Sequence, residues 1–206
     1  MYGWMGKILH VDLDSSRMSH IPTQPYAELF LGGRGIASRL YWEKVKPGTK
    51  AFDPENRLIF MTGALVAAGA LATNRMSIAG KSPMAYPEGY CYGNMGGFFA
   101  AELKKTGFDG IVIDGRAPRP VYLFVHDGKA ELKDASSLWG QGAYRTGEML
   151  QQVHGNKMRF ITTGIAGENL VSQRQAFARH HEGQHHLPAI RTMIRLGATR
   201  AIVRFK

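Results

Sequence analysis

The sequence predicts an α+β fold with largely antiparallel sheet, and three observations carry that reading. Hairpin patterns recur along the chain, short apolar strand-like runs alternate with helical stretches, and 25 of the 206 residues are glycine. Repeated hairpins argue against a doubly wound parallel sheet, in which each strand returns through a helix. The glycine content, well above the usual ~7%, implies many tight turns or close backbone approaches.

The elements follow in order. Lys7 to Leu13 alternates Ile8, His10 and Asp12 with Leu9, Val11 and Leu13, the period of a half-buried strand, and Asp14 to Arg17 turns it into a second strand. Pro25 to Leu31 reads as a short helix stopped by Gly32-Gly33, and Ile36 to Lys44 as a longer one ending before Pro47-Gly48. Arg57 to Thr62 is a strand leading into a small-residue stretch, Gly63 to Ala72. Met76 to Ala79 reads as a short strand, Lys81 to Gly89 as a loop, and Gly97 to Lys105 as a helix. Gly107-Phe-Asp-Gly110 turns into an apolar strand, Ile111 to Asp114. Pro120 to His126 and Lys129 to Lys133 flank Asp127-Gly128, a strong hairpin signal. Ala143 to Val153 is an amphipathic helix, and Arg159 to Thr163 is a buried strand feeding Gly164 to Leu170.

Composition narrows the function. The absence of any apolar run near the ~18–20 residues of a membrane span, and of a charged-then-apolar leader, leads us to expect a cytoplasmic protein without membrane contact. Cys91 is the single cysteine, so this chain alone builds neither an internal disulfide nor an all-cysteine metal or iron–sulfur site. With no His or Lys nearby to lower its pKa, Cys91 reads as a small buried side chain. The net charge of +10 is uneven: Arg174, Arg179, Arg191, Arg195, Arg200, Arg204 and Lys206 face Glu182 alone, which puts +6 after Ser172. The remainder carries only +4, which makes nucleic acid an unlikely partner for the main body.

The richest stretch is Asn74 to Phe99. It contains Asn74-Arg75, Lys81-Ser82-Pro83 and Asn94-Met95-Gly96-Gly97-Phe98-Phe99. An arginine fork grips phosphate, an asparagine amide both donates and accepts, and glycines let backbone N–H groups approach a ligand. A helix beginning beyond Gly97 would aim its first N–H groups at the same ligand. Arg34, in Gly32-Gly-Arg-Gly35, reads either as another anion contact or as a solvated loop arginine.

Several segments together resemble a known family. Tyr2-Gly-Trp-Met-Gly-Lys-Ile-Leu-His-Val-Asp-Leu13, Phe30-Leu-Gly-Gly-Arg-Gly-Ile36, Pro54-Glu-Asn-Arg-Leu-Ile-Phe60, Lys81-Ser-Pro83, Gly96-Gly-Phe-Phe-Ala-Ala-Glu-Leu-Lys104, Asp134-Ala-Ser-Ser-Leu-Trp-Gly140 and Gly164-Ile-Ala-Gly-Glu-Asn-Leu-Val171 occur in one order over residues 1–171. They resemble the N-terminal domain of tungsten-containing aldehyde ferredoxin oxidoreductases. Relative to that family's pattern, extra residues fall between Arg75 and Asn94, in the loop Tyr86 to Gly93.

The resemblance implies a platform of antiparallel sheet on which a bis-pterin tungsten or molybdenum cofactor (tungstopterin or molybdopterin) sits. Carried over by motif, Arg75, Asn94 and Gly96 are the cofactor-binding residues, with Asn94 also near a Mg²⁺ that bridges the pterin phosphates. The family oxidises aldehydes to carboxylic acids with ferredoxin as acceptor. Its [4Fe–4S] cysteines lie in downstream domains, expected here as the rest of a longer chain or as a partner subunit.

Residues 172–206 read as a divergent, basic, His-rich segment. His180, His181, His185 and His186 invite a metal reading, because His181 and His185 would share a helix face. Glu182 is the lone carboxylate nearby, so a divergent tail is the simpler reading. Glu168-Asn169 is expected to satisfy turn backbone or cap a following helix. The alternative function is a non-catalytic binding module whose basic tail meets an acidic partner or polyanion.

Overall fold

The computed structural model describes residues 3–84, 86–169, 177–180 and 183–185, the last two stretches as backbone only. The hairpin that opens the chain is present, β1 (Lys7–Asp12) pairing antiparallel with β2 (Arg17–Pro22). Two helices follow, α1 (Gln24–Phe30) and α2 (Gly33–Lys44). The link between them explains its glycines: Gly32 has φ 125°, and a Cβ there would meet the Trp4 ring at 2.6 Å.

Strands β3 (Leu58–Thr62), β4 (Met76–Ser82), β5 (Gly89–Met95) and β6 (Gly110–Asp114) complete a six-stranded sheet in the order β2-β1-β6-β3-β4-β5. All its pairings are antiparallel except β1 with β6, which run parallel. Every residue of the central β3 is buried, which is why Leu58 to Thr62 reads as an unbroken apolar run rather than an alternating one. Ile8, Val11, Ile36, Leu40, Phe60, Ile78, Leu103, Phe108 and Ile111 belong to the same core. Each such side chain stabilises by about 1.5–3 kcal/mol through burial.

A second, smaller core forms beyond the sheet. The Asp-Gly hairpin, β7 (Val121–His126) with β8 (Lys129–Asp134), a 3-10 turn (Ser136–Leu138), α4 (Gly142–His154) and β9 (Phe160–Thr162) bury Tyr122, Phe124, Leu138, Leu150, Met158 and Phe160 together. Gly147 sits on Phe160, where a Cβ would meet the ring at 2.3 Å. The chain continues through α5 (Gly164–Glu168) to β10 (Phe177–His180) and β11 (Gly183–His185), with β9, β10 and β11 forming an antiparallel sheet.

The structure departs from the sequence reading in three places. Lys81 to Gly89 is not wholly loop: β4 runs to Ser82 and β5 starts at Gly89, because the two strands satisfy each other's backbone across a full ladder. The helix expected from Gly97 is α3 (Phe99–Lys105), since Gly97 has φ 91° and cannot join it. Glu168 satisfies turn backbone as expected, its Oε2 accepting from the Gly140 N–H at 2.8 Å at the end of α5, while residues 170–176, where a following helix would begin, lie outside the described residues. Gly183–His185 is strand, so the shared helix face imagined for His181 and His185 does not form. His181, His186 and most of the basic segment, together with the expected boundary at 171/172, lie outside the described residues.

Candidate functional site

Register decides which residues of the Asn74–Phe99 stretch meet. In the β4–β5 ladder Ser77 pairs with Asn94 and Met76 with Met95, so Arg75 and Gly96 follow immediately at the open end of the same ladder. Alternation turns Met76 and Met95 into the core, where both are buried, and leaves Arg75, Asn94 and Gly96 exposed. Thus the three residues expected from the family pattern share one end and one face. Lys81-Ser82-Pro83 does not join them. It lies about 13 Å along the strand, where Lys81 pairs with Tyr90 and its ammonium donates to the Thr49 carbonyl.

The face is built so that its donors stay available. Ser77 Oγ donates to Asn94 Oδ1 at 3.1 Å, which orients the amide and leaves its NH₂ outward and one Oδ1 lone pair free. Arg75 donates its backbone N–H to Thr73 O at 2.8 Å, while its guanidinium forms no hydrogen bond or ion pair among the described residues. A Cβ on Gly96 would meet nothing within 4 Å, so the backbone there is open to a close approach. Asn74 has a bracing role: its Oδ1 accepts from the Ala67 N–H at 3.2 Å and holds the Gly63–Thr73 loop beside the site.

Helix α2 lies against β3 and β4 and brings further groups to this face. A Cβ on Gly33 would lie 3.7 Å from Ser77 Oγ. Arg34 stands over the Tyr92 ring at 4.6 Å and donates to its hydroxyl, and Ser38 Oγ bonds Tyr90 Oη at 2.7 Å. Tyr90, Tyr92 and Asn94 therefore line one side of β5. Their i, i+2 spacing was the signal available in the sequence, but Gly89 and Gly93 made the segment resemble a loop. On the opposite side of the strand Cys91 is partly buried, and desolvation pushes its thiol up to about 11.

Two concavities lie elsewhere. One, of about 450 Å³, is an apolar groove around Tyr41, Trp42 and Tyr90, at the end of β5 remote from Asn94. The other, of about 280 Å³, is polar and bounded by Asp12, Asp14, Lys44, Arg57 and Asp114. Its charges are largely answered internally, Arg57 Nη2 meeting Asp114 Oδ2 at 2.6 Å and His10 Nε2 meeting Asp114 Oδ1 at 3.0 Å. No cluster of three or more His, Cys, Asp or Glu side chains able to hold a metal occurs among the described residues. Nor is any helix among them long and apolar enough to cross a membrane.

Fold and face together define a mixed-sheet α+β domain with an open polar edge at the β4–β5 ladder. Residues 8–198 match the family model described as aldehyde ferredoxin oxidoreductase, N-terminal domain, and the chain belongs to that family. It is 39% identical over 174 residues to the tungsten-containing aldehyde ferredoxin oxidoreductase of Pyrococcus abyssi, covering 83% of this chain and 28% of that protein. It is 35% identical over 161 residues to an aliphatic sulfonate oxidoreductase, WOR-like subunit, of Pyrococcus furiosus, covering 75% of this chain and 25% of that protein. Among solved structures, the active site complex BamBC of benzoyl coenzyme A reductase with 1,5-dienoyl-CoA matches at a TM-score of 0.85 and 32% identity, over 100% of this chain and 31% of that one. The chain thus spans less than a third of the length of these relatives, which are oxidoreductases by name.

Proposed function

We propose that this domain is the cofactor platform of an aldehyde ferredoxin oxidoreductase-type enzyme, with Arg75, Asn94 and Gly96 receiving the phosphates of a bis-pterin tungsten, or molybdenum, cofactor. The observation that carries the reading is the ladder register, which gathers a free guanidinium, an oriented amide and an uncrowded glycine on one open face. This donor set fits a phosphate-bearing group. The Arg75 fork would take phosphate oxygens in two parallel hydrogen bonds, and the Asn94 NH₂ would donate to another. The remaining Asn94 Oδ1 lone pair suits a Mg²⁺ held mainly by phosphate and water, because such ions need few protein ligands.

When bound, the tungsten–pterin group supplies the redox chemistry, while this domain supplies binding and electrostatics. The whole enzyme's oxidation of an aldehyde to a carboxylic acid, its [4Fe–4S] relay, ferredoxin as acceptor and a cytoplasmic setting belong to the same proposal. So do the cluster ligands, which fall to downstream domains or a partner subunit, because Cys91 alone cannot hold a cluster.

Metal analysis after co-expression with those remaining domains tests the reading. Arg75→Ala and Asn94→Ala should each lose most bound tungsten or molybdenum while the melting temperature of this domain stays unchanged. Wild-type metal content in both variants would remove these residues from the site.

A further inference from the structure

Among the described residues Lys104, near the end of α3, is the single buried lysine or arginine. Stability is a poor reason for it. Taking an ammonium out of water is costly, and a methionine or leucine of similar volume would fill the space without that cost. What an ammonium adds is direction, since its three N–H groups can draw carbonyls from separate segments to one point.

Lys104 Nζ donates to the carbonyls of Gly3 and Gly63, the latter at 2.7 Å, and stands 4.8 Å from the centre of the Trp4 ring. Both segments close on Gly32. The Trp4 ring covers it so tightly that a Cβ would clash, and Gly63 pairs with it in an isolated antiparallel bridge. Gly32 is therefore held between two walls, each tied to the same ammonium. Gly33 follows, and a Cβ on it would lie 3.7 Å from Ser77 Oγ, the donor that orients Asn94. The Gly63 segment also leads to the other anchor, because Ala67 donates its N–H to Asn74 Oδ1 and Thr73 O accepts from the Arg75 N–H. One ammonium thus stands behind both anchors, behind Asn94 through Gly32, Gly33 and Ser77, and behind Arg75 through the Gly63–Thr73 loop.

We propose that Lys104 is a positioning residue for the cofactor face: with Trp4 it fixes the Gly32–Gly33 turn and the Gly63–Thr73 loop, and through them the Asn94 amide and the Arg75 backbone. It touches no ligand itself. The proposal rests on the phosphate reading of Arg75 and Asn94 above and names what holds those residues in place. Removing the ammonium tests this tie rather than the hydrogen bonding of Asp109, whose carboxylate keeps the Met5 and Gly6 N–H groups and Thr23 Oγ1 as donors.

Lys104→Met keeps the stem and removes the donors, whereas Lys104→Gln keeps an N–H donor without the charge. Heteronuclear NMR of the isotopically labelled chain reads the Asn94 side-chain NH₂ without any cofactor, the signal being assigned by its absence in Asn94→Ala. Lys104→Met should shift and broaden that signal, and metal content after co-expression with the remaining domains should fall roughly tenfold, the scale expected for groups that support metal-site ligands. Lys104→Gln should recover part of both, and Trp4→Phe should show a smaller shift than Lys104→Met. Leu150→Ala, in the second core, lowers the melting temperature without touching the tie and should leave the signal and the metal content unchanged. An unmoved Asn94 signal in Lys104→Met and Trp4→Phe, or an equal shift in Leu150→Ala, would overturn the role of Lys104 whatever the metal content, and leave the phosphate reading to Arg75→Ala and Asn94→Ala. Wild-type metal content in those two variants would remove the site that Lys104 is proposed to position. Should circular dichroism show Lys104→Met misfolded, Lys104→Gln and Trp4→Phe carry the same comparison.

Discussion

Around Asp109 and Lys104 the chain answers polar groups with other polar groups, whereas along β5 it leaves them facing outward. Asp109 is fully buried, accepting from the Met5 and Gly6 N–H groups at 2.9 Å each and from Thr23 Oγ1 at 2.7 Å. Lys104 is 2% exposed, donating to the carbonyls of Gly3 and Gly63 while lying 4.0 Å from Asp109 Oδ1. Burial pulls the Lys104 pKa down and the Asp109 charge opposes that pull. By contrast Arg34, Arg75 and Asn94 keep donors turned to solvent. Polar residues thus form a closed structural knot in one place and an open face in another. Spare hydrogen-bonding capacity distinguishes the two.

The comparison can be broken most severely at the knot. Asp109→Ala strands the Met5, Gly6 and Thr23 donors and leaves the Lys104 charge unpaired, so a loss of about 3–5 kcal/mol is expected from urea unfolding. A change under 1 kcal/mol would show that the knot is not structural. Glycine substitutions sharpen the contrast. At Gly110 a Cβ would lie 2.5 Å from the Phe60 carbonyl oxygen, so Gly110→Ala should cost about 1–3 kcal/mol. At Gly96 the same atom meets nothing, so Gly96→Ala should move stability by less than about 0.5 kcal/mol. If Gly96 approaches the cofactor as proposed, that variant still loses metal; unchanged metal content would remove it from the site.

The smallest effect compares the two sides of β5. Because burial pushes the Cys91 thiol up to about 11, its reaction with iodoacetamide should be slow at pH 8 and rise toward pH 11. An inflection near pH 9 would show that the inner side of the strand is as wet as the outer one. The sign follows from the thiolate being the reactive form and desolvation disfavouring it.

Much of this architecture was legible because it is written locally. Alternation around His10, the Asp127-Gly128 turn and the helical period through Leu150 each report their own element. The ordered motifs from Tyr2 to Val171 point to the family, and Arg75, Asn94 and Gly96 stand out by motif alone. β5 was not legible, because its glycines and polar aromatics lack an apolar stripe and it gains its order from pairing with β4. Asp109 fell in an expected turn and Lys104 in an expected helix, and neither position reports burial by itself. Their burial depends on groups that arrive from Met5, Gly6 and Gly63, far away in the chain.

By itself, then, the sequence determined most of the elements, their order and the family, since side-chain period, turn chemistry and motif order are properties of neighbouring residues. Tertiary structure alone decided the parallel pairing of β1 with β6, the knot at Asp109 and the company that Arg34 keeps with Tyr92. The physical reason is strand register: a one-residue slip between β4 and β5 would turn Asn94 inward and Met95 outward, and only burial of the whole apolar side of the sheet forbids it.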